Sequence, residues 1–426
     1  GWRMDWQPGT DQEATFQGDL YGGRSDMVRG VPDPVFVIDF PTVEERHSGG
    51  NVLFRWTNTV SDESTWTVQT FVDRTDRRDF IFGETRETVD LEVTQHFEPN
   101  DTHDIVWGFG QRTSRARFQN TAIQTVNPDP RTTNIFNVFV QDDIAVSDDV
   151  TVTVGNKFER NNYTGWEVQP TLRAAWRPDD KTTLWAAASR AVRIPSTDER
   201  DMTRTQFIIP DDGLTGFDSL VGFLPGDMNS ERVYAFEAGA RAELSDDLSV
   251  DFAAFYNAFD DLRTEEPAAP IVLNPTQTFF GTIAENRGSG IVRGAELAVE
   301  YAASDSWDLE LQYTYVNMDL HKDADSADTF FTTLDDDPPH NILNIITHHD
   351  IDDDWSVDGF LIYVDDVPTP DLNLDSFWRG DVRVSYRPEP DVEYAFGLQN
   401  LFHDGETETG ANEMEAAAYV KATKRY

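Results

Sequence analysis

Residues 306–318 read SWDLELQYTYVNM. In an extended strand, side chains alternate between the two faces. Trp307, Leu309, Leu311, Tyr313 and Tyr315 then share one face, and Asp308, Glu310, Gln312 and Thr314 share the other. One face is apolar with aromatic ends and the other is charged. The same pattern recurs along the chain. In 233–244, Tyr234, Phe236, Ala238, Ala240, Ala242 and Leu244 oppose Glu237, Gly239, Arg241 and Glu243. In 89–97, Val89, Leu91, Val93 and Phe97 oppose Asp90, Glu92 and His96. Segments 294–301 and 392–399 repeat it, while helical periodicity of useful length is scarce.

Composition narrows what such strands can build. The 426 residues include 34 basic and 78 acidic side chains, a net charge of -44, and no cysteine. That charge opposes binding to a nucleic-acid backbone, which needs a basic surface. Disulfides and thiolate metal sites are excluded. No run of eighteen apolar residues exists, so no transmembrane helix is available. A β-barrel spans a membrane with only about ten alternating residues per strand, so its signal would be the alternation just described.

The turns give the architecture. Nine are short and polar: 7–12, 61–64, 98–102, 147–149, 177–181, 245–247, 304–306, 352–354 and 387–391. They are built from Asp, Asn, Ser, Gly and Pro, residues that favour tight reversals. Between them lie long connections at 23–47, 116–131, 192–229, 260–286, 319–337 and 403–415, with a short member, NNYTG, at 161–165. Strict alternation of short and long connections is the habit of a transmembrane barrel, with tight periplasmic turns and long external loops. A soluble all-β protein is the plainer reading, but almost no helices are present to cover so many apolar faces. The expectation is an all-β, antiparallel transmembrane barrel with about nineteen strands, the first running toward the short turns.

Several stretches carry a family resemblance. WEVQPTLRAAWRPDDKTTLWAAASRAVRIPS at 166–196, GSGIVRGAELAVEYAASDSWDLELQYTY at 288–315, FNVFVQDDIAVSDDVTVTVGNKFE at 136–159 and GLQNLFHD at 397–404 resemble strands and hairpins of TonB-dependent outer-membrane receptors. The C-terminal YVKATKRY resembles that family's aromatic-ended last strand, with Tyr426 in the place of the outer-membrane assembly signal. The resemblance implies a twenty-two-stranded barrel around an N-terminal plug, so residues 1–426 would be an incomplete barrel lacking the plug and about three strands. It implies uptake of a scarce nutrient, most simply a ferric siderophore. The implied partners are outer-membrane lipid, the TonB complex, the barrel assembly machinery and a small ligand such as an iron chelate. It implies no cofactor and no catalysis, in keeping with the lack of G-x-S-x-G or H-E-x-x-H motifs. A passive porin and a soluble binding protein are the alternatives.

Specificity in such a barrel belongs to the external loops and the lumen wall. Arg193, Arg200 and Arg204, in the longest loop, could meet an anionic chelate, or could simply pair with Asp198, Glu199 and Asp201. Phe279, Phe280, Phe330 and Phe331 read as exposed loop aromatics that touch ligand or pack loops together. HKDADSAD at 321–328 lacks the glycine and distal glutamate of an EF-hand. His348 and His349 are adjacent, so a strand would turn them to opposite faces and they would make a poor metal pair.

Overall fold

The computed structural model describes residues 1–28, 30–33, 37–211, 216–335, 338–368, 373–402 and 415–425. The chain forms one 23-stranded sheet with two small two-stranded ladders beside it. Long strands follow one another antiparallel in chain order. Gln12–Val28 pairs with Thr42–Ser61, which pairs with Ser64–Arg78, then Gly83–Asn100, then His103–Gln119. At the far end Trp355–Val364, Phe377–Glu389, Val392–Leu401 and Ala417–Lys424 continue in the same way. Local sequence favours this meander because a short reversal joins each strand to one neighbour, while a long connection at the opposite end leads to the other.

The nine short turns stand where the sequence places them. Most close with two residues between paired positions, as at Ser61↔Ser64, Asn100↔His103 and Ser304↔Trp307. The residue before the reversal supplies the reason. The Ser304 hydroxyl accepts from the Ser306 amide at 3.4 Å, Asn100 Oδ1 from Thr102 at 2.9 Å, and Asp179 Oδ1 from Lys181 at 2.9 Å. Each side chain mimics a backbone turn two residues on.

The two faces of the sheet separate by polarity. Across the Gln277–Ser304 and Trp307–Lys322 strands, Leu309 lies opposite Tyr301, Leu311 opposite Val299 and Tyr313 opposite Leu297. On the other face Asp308, Glu310 and Gln312 alternate with them, and Glu310 stands directly opposite Glu300. Like charges so placed are unfavourable unless well hydrated. The apolar face has no covering layer among the described residues, and Val52, Val72, Val89 and Phe396 on it are exposed.

Aromatic rings mark both ends of that apolar band. Near the short turns, Trp307 stacks on His349 at 5.5 Å and Trp355 on Tyr386 at 4.7 Å. At the opposite end Phe136 meets Trp166 edge-on at 6.4 Å, and Tyr363 meets Trp378 at 5.0 Å. Their polar tips find partners: Trp307 Nε1 donates to Thr347 Oγ1 at 2.9 Å. An apolar band between two aromatic girdles is the signature of a membrane-spanning sheet.

The structure corrects the reading of the long connections as loops. The 192–229 segment holds a short helix, Thr197–Asp201, and strands Met202–Ile209 and Asp218–Leu224. The 260–286 segment is largely strand, because Leu248–Pro267 and Gln277–Ser304 keep pairing well beyond the apolar band. Two connections are additional to those read from sequence, a tight one between Arg78 and Gly83 and one following Val364.

Candidate functional site

The end of the sheet opposite the short turns gathers the candidate residues. The Thr182–Arg193 strand stops where Pro195 is buried, and Ser196 then caps the helix. The cap is reciprocal: Ser196 Oγ accepts from the Glu199 amide at 3.3 Å, and Glu199 Oε2 accepts from the Ser196 amide at 2.7 Å. Sequence reasoning missed this cap, although S-T-D-E at 196–199 has the capping-box spacing. Glu199 is buried, and its other contacts are cationic. Arg193 Nη2 lies 2.8 Å from Oε1, and Arg263 Nη1 lies 3.5 Å from the same atom. Burial pushes the Glu199 carboxyl up, but hydrogen bonds from Arg193 and the Ser196 amide outweigh it and hold the group below its ordinary range.

Arg193 therefore pairs with Glu199, one of the acids the sequence offered, and also with Glu231. Arg200 takes a different partner from those expected. It bonds Asp227 at 2.7 Å and the Met228 carbonyl at 2.6 Å, with its guanidinium 5.7 Å from the Tyr163 ring. Asp201 is claimed instead by Arg131 at 3.0 Å and the Tyr163 hydroxyl at 2.7 Å. These contacts pin the helix and its flanks and leave Arg193 and Arg200 engaged by protein.

Arg204 differs. Among the described residues it makes no ion pair, and it is half-buried. It sits in a small external sheet. Gln124–Val126 pairs with Met202–Ile209, which pairs with Asp218–Leu224; that strand runs parallel to residues 277–283, and Ile271–Asn274 completes the group. The hairpin Val31–Asp33 and Val37–Asp39 packs beside it. A register shift between Thr205 and Phe207 puts Arg204 opposite Phe223, whose parallel partner is Thr282. Phe280, two residues from Thr282, shares that face and stacks on Phe217 at 6.4 Å. An arginine and an aromatic ring thus lie on one face of the external sheet.

The reading of two exposed phenylalanine pairs is corrected by half. Phe280 and Phe330 are 36% and 51% exposed, but Phe279 and Phe331 are only 4% and 7% exposed. Phe279 alternates to the covered face of the external sheet. Phe331 begins a 3-10 turn, Phe331–Leu334, and lies against Gly288, where no side chain obstructs its ring. Asp328 secures that turn by accepting from the amides of Glu265 at 2.6 Å, Phe330 at 2.7 Å and Phe331 at 2.9 Å. The HKDADSAD run is thus loop scaffolding: Asp325 meets Arg287 at 3.5 Å, and Asp328 is spent on backbone amides.

His348 and His349 do face opposite ways. His348 bonds Asp358 at 2.6 Å, while His349 lies on Trp307. The described residues hold one histidine–carboxylate group within metal-binding distance, His96, Glu98 and Asp104, near the Asn100–His103 turn. There His96 and Asp104 already bond each other. Tyr426 and most of 403–415 lie outside the described residues.

A family model described as TonB dependent receptor-like, beta-barrel matches residues 5–401. The chain belongs to that family, whose members are outer-membrane transport receptors and not catalysts. No curated relative matches the sequence. Among solved structures, the siderophore receptor PirA from Acinetobacter baumannii is similar over 99% of this chain and 69% of its own, at 13% identity and a TM-score of 0.73. A ferric enterobactin receptor, PfeA, from Pseudomonas aeruginosa is similar over 99% and 68%, at 14% identity and 0.71. The outer-membrane transporter YddB from Escherichia coli is similar over 98% and 67%, at 10% identity and 0.71. Such low identities carry the fold alone.

Proposed function

We propose that this chain is the barrel of a TonB-dependent outer-membrane transporter that takes up a scarce nutrient, with a ferric siderophore as the ligand class. Family membership supports the transport role. The observation that favours an anionic chelate is Arg204, the one of the three loop arginines without an ion pair among the described residues, on the same face as the exposed ring of Phe280. A cation on the same face as an exposed aromatic ring suits a negatively charged metal chelate that carries apolar surface. Ligand would bind at the external end, a plug would rearrange under pull from the TonB complex, and the ligand would pass through the lumen.

The barrel is proposed to be incomplete. Of the 27 strands among the described residues, eight short ones belong to the external connections and nineteen form the meander. Among the described residues, Trp2–Gly9 pairs only with Gln12–Val28, and Ala417–Lys424 only with Val392–Leu401. In lipid, an unpaired strand edge leaves backbone groups unsatisfied at several kcal/mol each, so the two edges call for further strands between them. Three more would make the twenty-two of plugged transporters, and a plug domain would fill the lumen. The barrel assembly machinery is the proposed insertion partner.

The deciding experiment measures binding of ferric chelates, cobalamin and glycans to the full-length protein in detergent. Saturable binding of a ferric chelate is expected. Binding of only another class would overturn the siderophore assignment, and recovery of the protein from cells without detergent would overturn the membrane assignment.

A further inference from the structure

The outward, apolar face of the Gln12–Val28, Thr42–Ser61, Ser64–Arg78, Gly83–Asn100 and His103–Gln119 strands changes character abruptly toward the external end. Val52, Val72 and Val89 form one cross-strand row. The next row up reads Leu20, Gly50, Arg74, Glu87 and Arg115. Above it come Ser48, Asp76, Thr85 and Arg117, and above those Arg24, Arg46 and Arg78 stand directly opposite one another. No register shift interrupts these rows, so all of these side chains share the face of the valines. Arg24, Arg46, Arg74 and Arg78 are each exposed over more than half of their side chain.

In a chain of net charge -44 this concentration is anomalous. Three arginines in direct cross-strand register repel one another. Their carboxylates only partly relieve this. Glu44 is shared by Arg46 and Arg24, the latter at 3.8 Å, and Glu87 is shared by Arg74 at 2.9 Å and Arg117 at 3.9 Å. Arg78 meets Asp76 at 2.9 Å. Arg115 has no ion pair among the described residues. An external anion would complete the set.

Height along the strand says which anion. Trp66, on the same face beside the Ser61–Ser64 turn, packs edge-on against Trp107 at 5.8 Å and marks the inner girdle. Arg74 is eight residues further on, about 26 Å along the strand and about 20 Å along the membrane normal at a tilt near 40°. Arg78 is about 10 Å higher by the same geometry. An apolar band of about 25 Å ends between them. The arginines therefore stand at the level of lipid headgroups, facing outward.

We propose that this face is a docking surface for the phosphorylated headgroups of outer-leaflet lipid, with the guanidiniums of Arg46, Arg78 and Arg115 as principal contacts. Planar guanidiniums suit bidentate contact with phosphate. The inference rests on reading the chain as a membrane barrel with its long connections outward.

The test uses the purified full-length protein in detergent, with lipid retention read by native mass spectrometry. The probes are a bisphosphorylated glycolipid, its dephosphorylated form and phosphatidylcholine. Preferential retention of the bisphosphorylated lipid, on the order of tenfold, is expected. The triple variant Arg46→Gln, Arg78→Gln, Arg115→Gln should lose the preference, the corresponding triple Lys variant should keep most of it, and Arg241→Gln on the inward face should leave it unchanged. Equal retention of phosphorylated and neutral lipid, or a Gln triple variant that keeps the preference, overturns the proposal and leaves the barrel reading intact. A Gln triple variant that changes oligomeric state without changing lipid preference assigns the face to a second copy of the chain instead. Retention of no lipid, with solubility in the absence of detergent, overturns the barrel reading itself.

Discussion

Arg193 and Glu199 meet through two parallel hydrogen bonds, Nη1 to Oε2 at 3.2 Å and Nη2 to Oε1 at 2.8 Å. The same carboxylate closes the capping box of the Thr197–Asp201 helix. One side chain thus joins the end of a barrel strand to the start of the external sheet. Glu199→Gln keeps the shape and removes the charge. It should weaken local order by about 1.5–3 kcal/mol, the worth of hydrogen bonds to a charged group. Hydrogen exchange of the 196–201 amides should rise by at least tenfold. Unchanged exchange would show that the pair contributes nothing.

The pH dependence follows from the lowered Glu199 carboxyl. A group with a depressed folded pKa contributes stability at pH above its unfolded value, and that contribution is lost as pH falls through the folded value. Protection of the 196–201 amides should be constant from neutral pH down to the ordinary carboxylate range, then fall below it. Loss of protection near neutral pH would assign the effect to a different group.

Neighbouring positions on one strand should respond oppositely to the same charge. Leu311 faces outward and Gln312 inward, four and five residues from the Trp307 girdle. Leu311→Arg should cost about 2–4 kcal/mol, as for arginine on the lipid face near the midplane. Gln312→Arg should cost less than about 1 kcal/mol, since that face carries Glu300 and Glu310. Equilibrium unfolding in lipid vesicles checks both. Equal costs would contradict the assignment of faces.

Gly294 marks a close approach within the sheet. An added Cβ there would collide with the Tyr315 carbonyl and the Phe255 ring. A backbone oxygen held in a ladder cannot move aside, so Gly294→Ala should destabilise by about 1–3 kcal/mol. The fraction of folded, heat-modifiable protein on unboiled gels should fall. A normal yield and unfolding midpoint would show that the strands can separate there.

Arg204→Ala should weaken binding of a ferric chelate by roughly tenfold, the worth of one charge-assisted contact. Assembly and heat-modifiability should be unaffected, because Arg204 makes no ion pair among the described residues. Arg200→Ala should instead loosen the loop through Asp227 and Met228. Identical affinity in Arg204→Ala would remove it from the ligand surface.

The faces of the barrel were readable because alternation is local: each residue's side is set by its position in its own strand. The short turns were readable for the same reason, since Ser304, Asn100 and Asp179 act on amides two residues away. The external sheet was not. Its parallel pairing joins Asp218–Leu224 to residues more than fifty positions further on, and no local signal encodes a partner at that distance. The site divided along the same line. Arg193 and Glu199 are only six residues apart, within local reach, whereas Arg200 with Asp227 crosses a hairpin. Phe279 and Phe331 looked exposed because apolar residues in a Pro- and Asp-rich stretch have no visible neighbours until the loops pair.

The external sheet draws strands from three separate connections into shared ladders. Such loops cannot evolve or be exchanged one at a time. A graft of the 192–229 segment alone into a related barrel would arrive without the edges it pairs with. The 116–131 and 260–286 segments would have to travel with it, so the heritable unit of specificity in this barrel is the set.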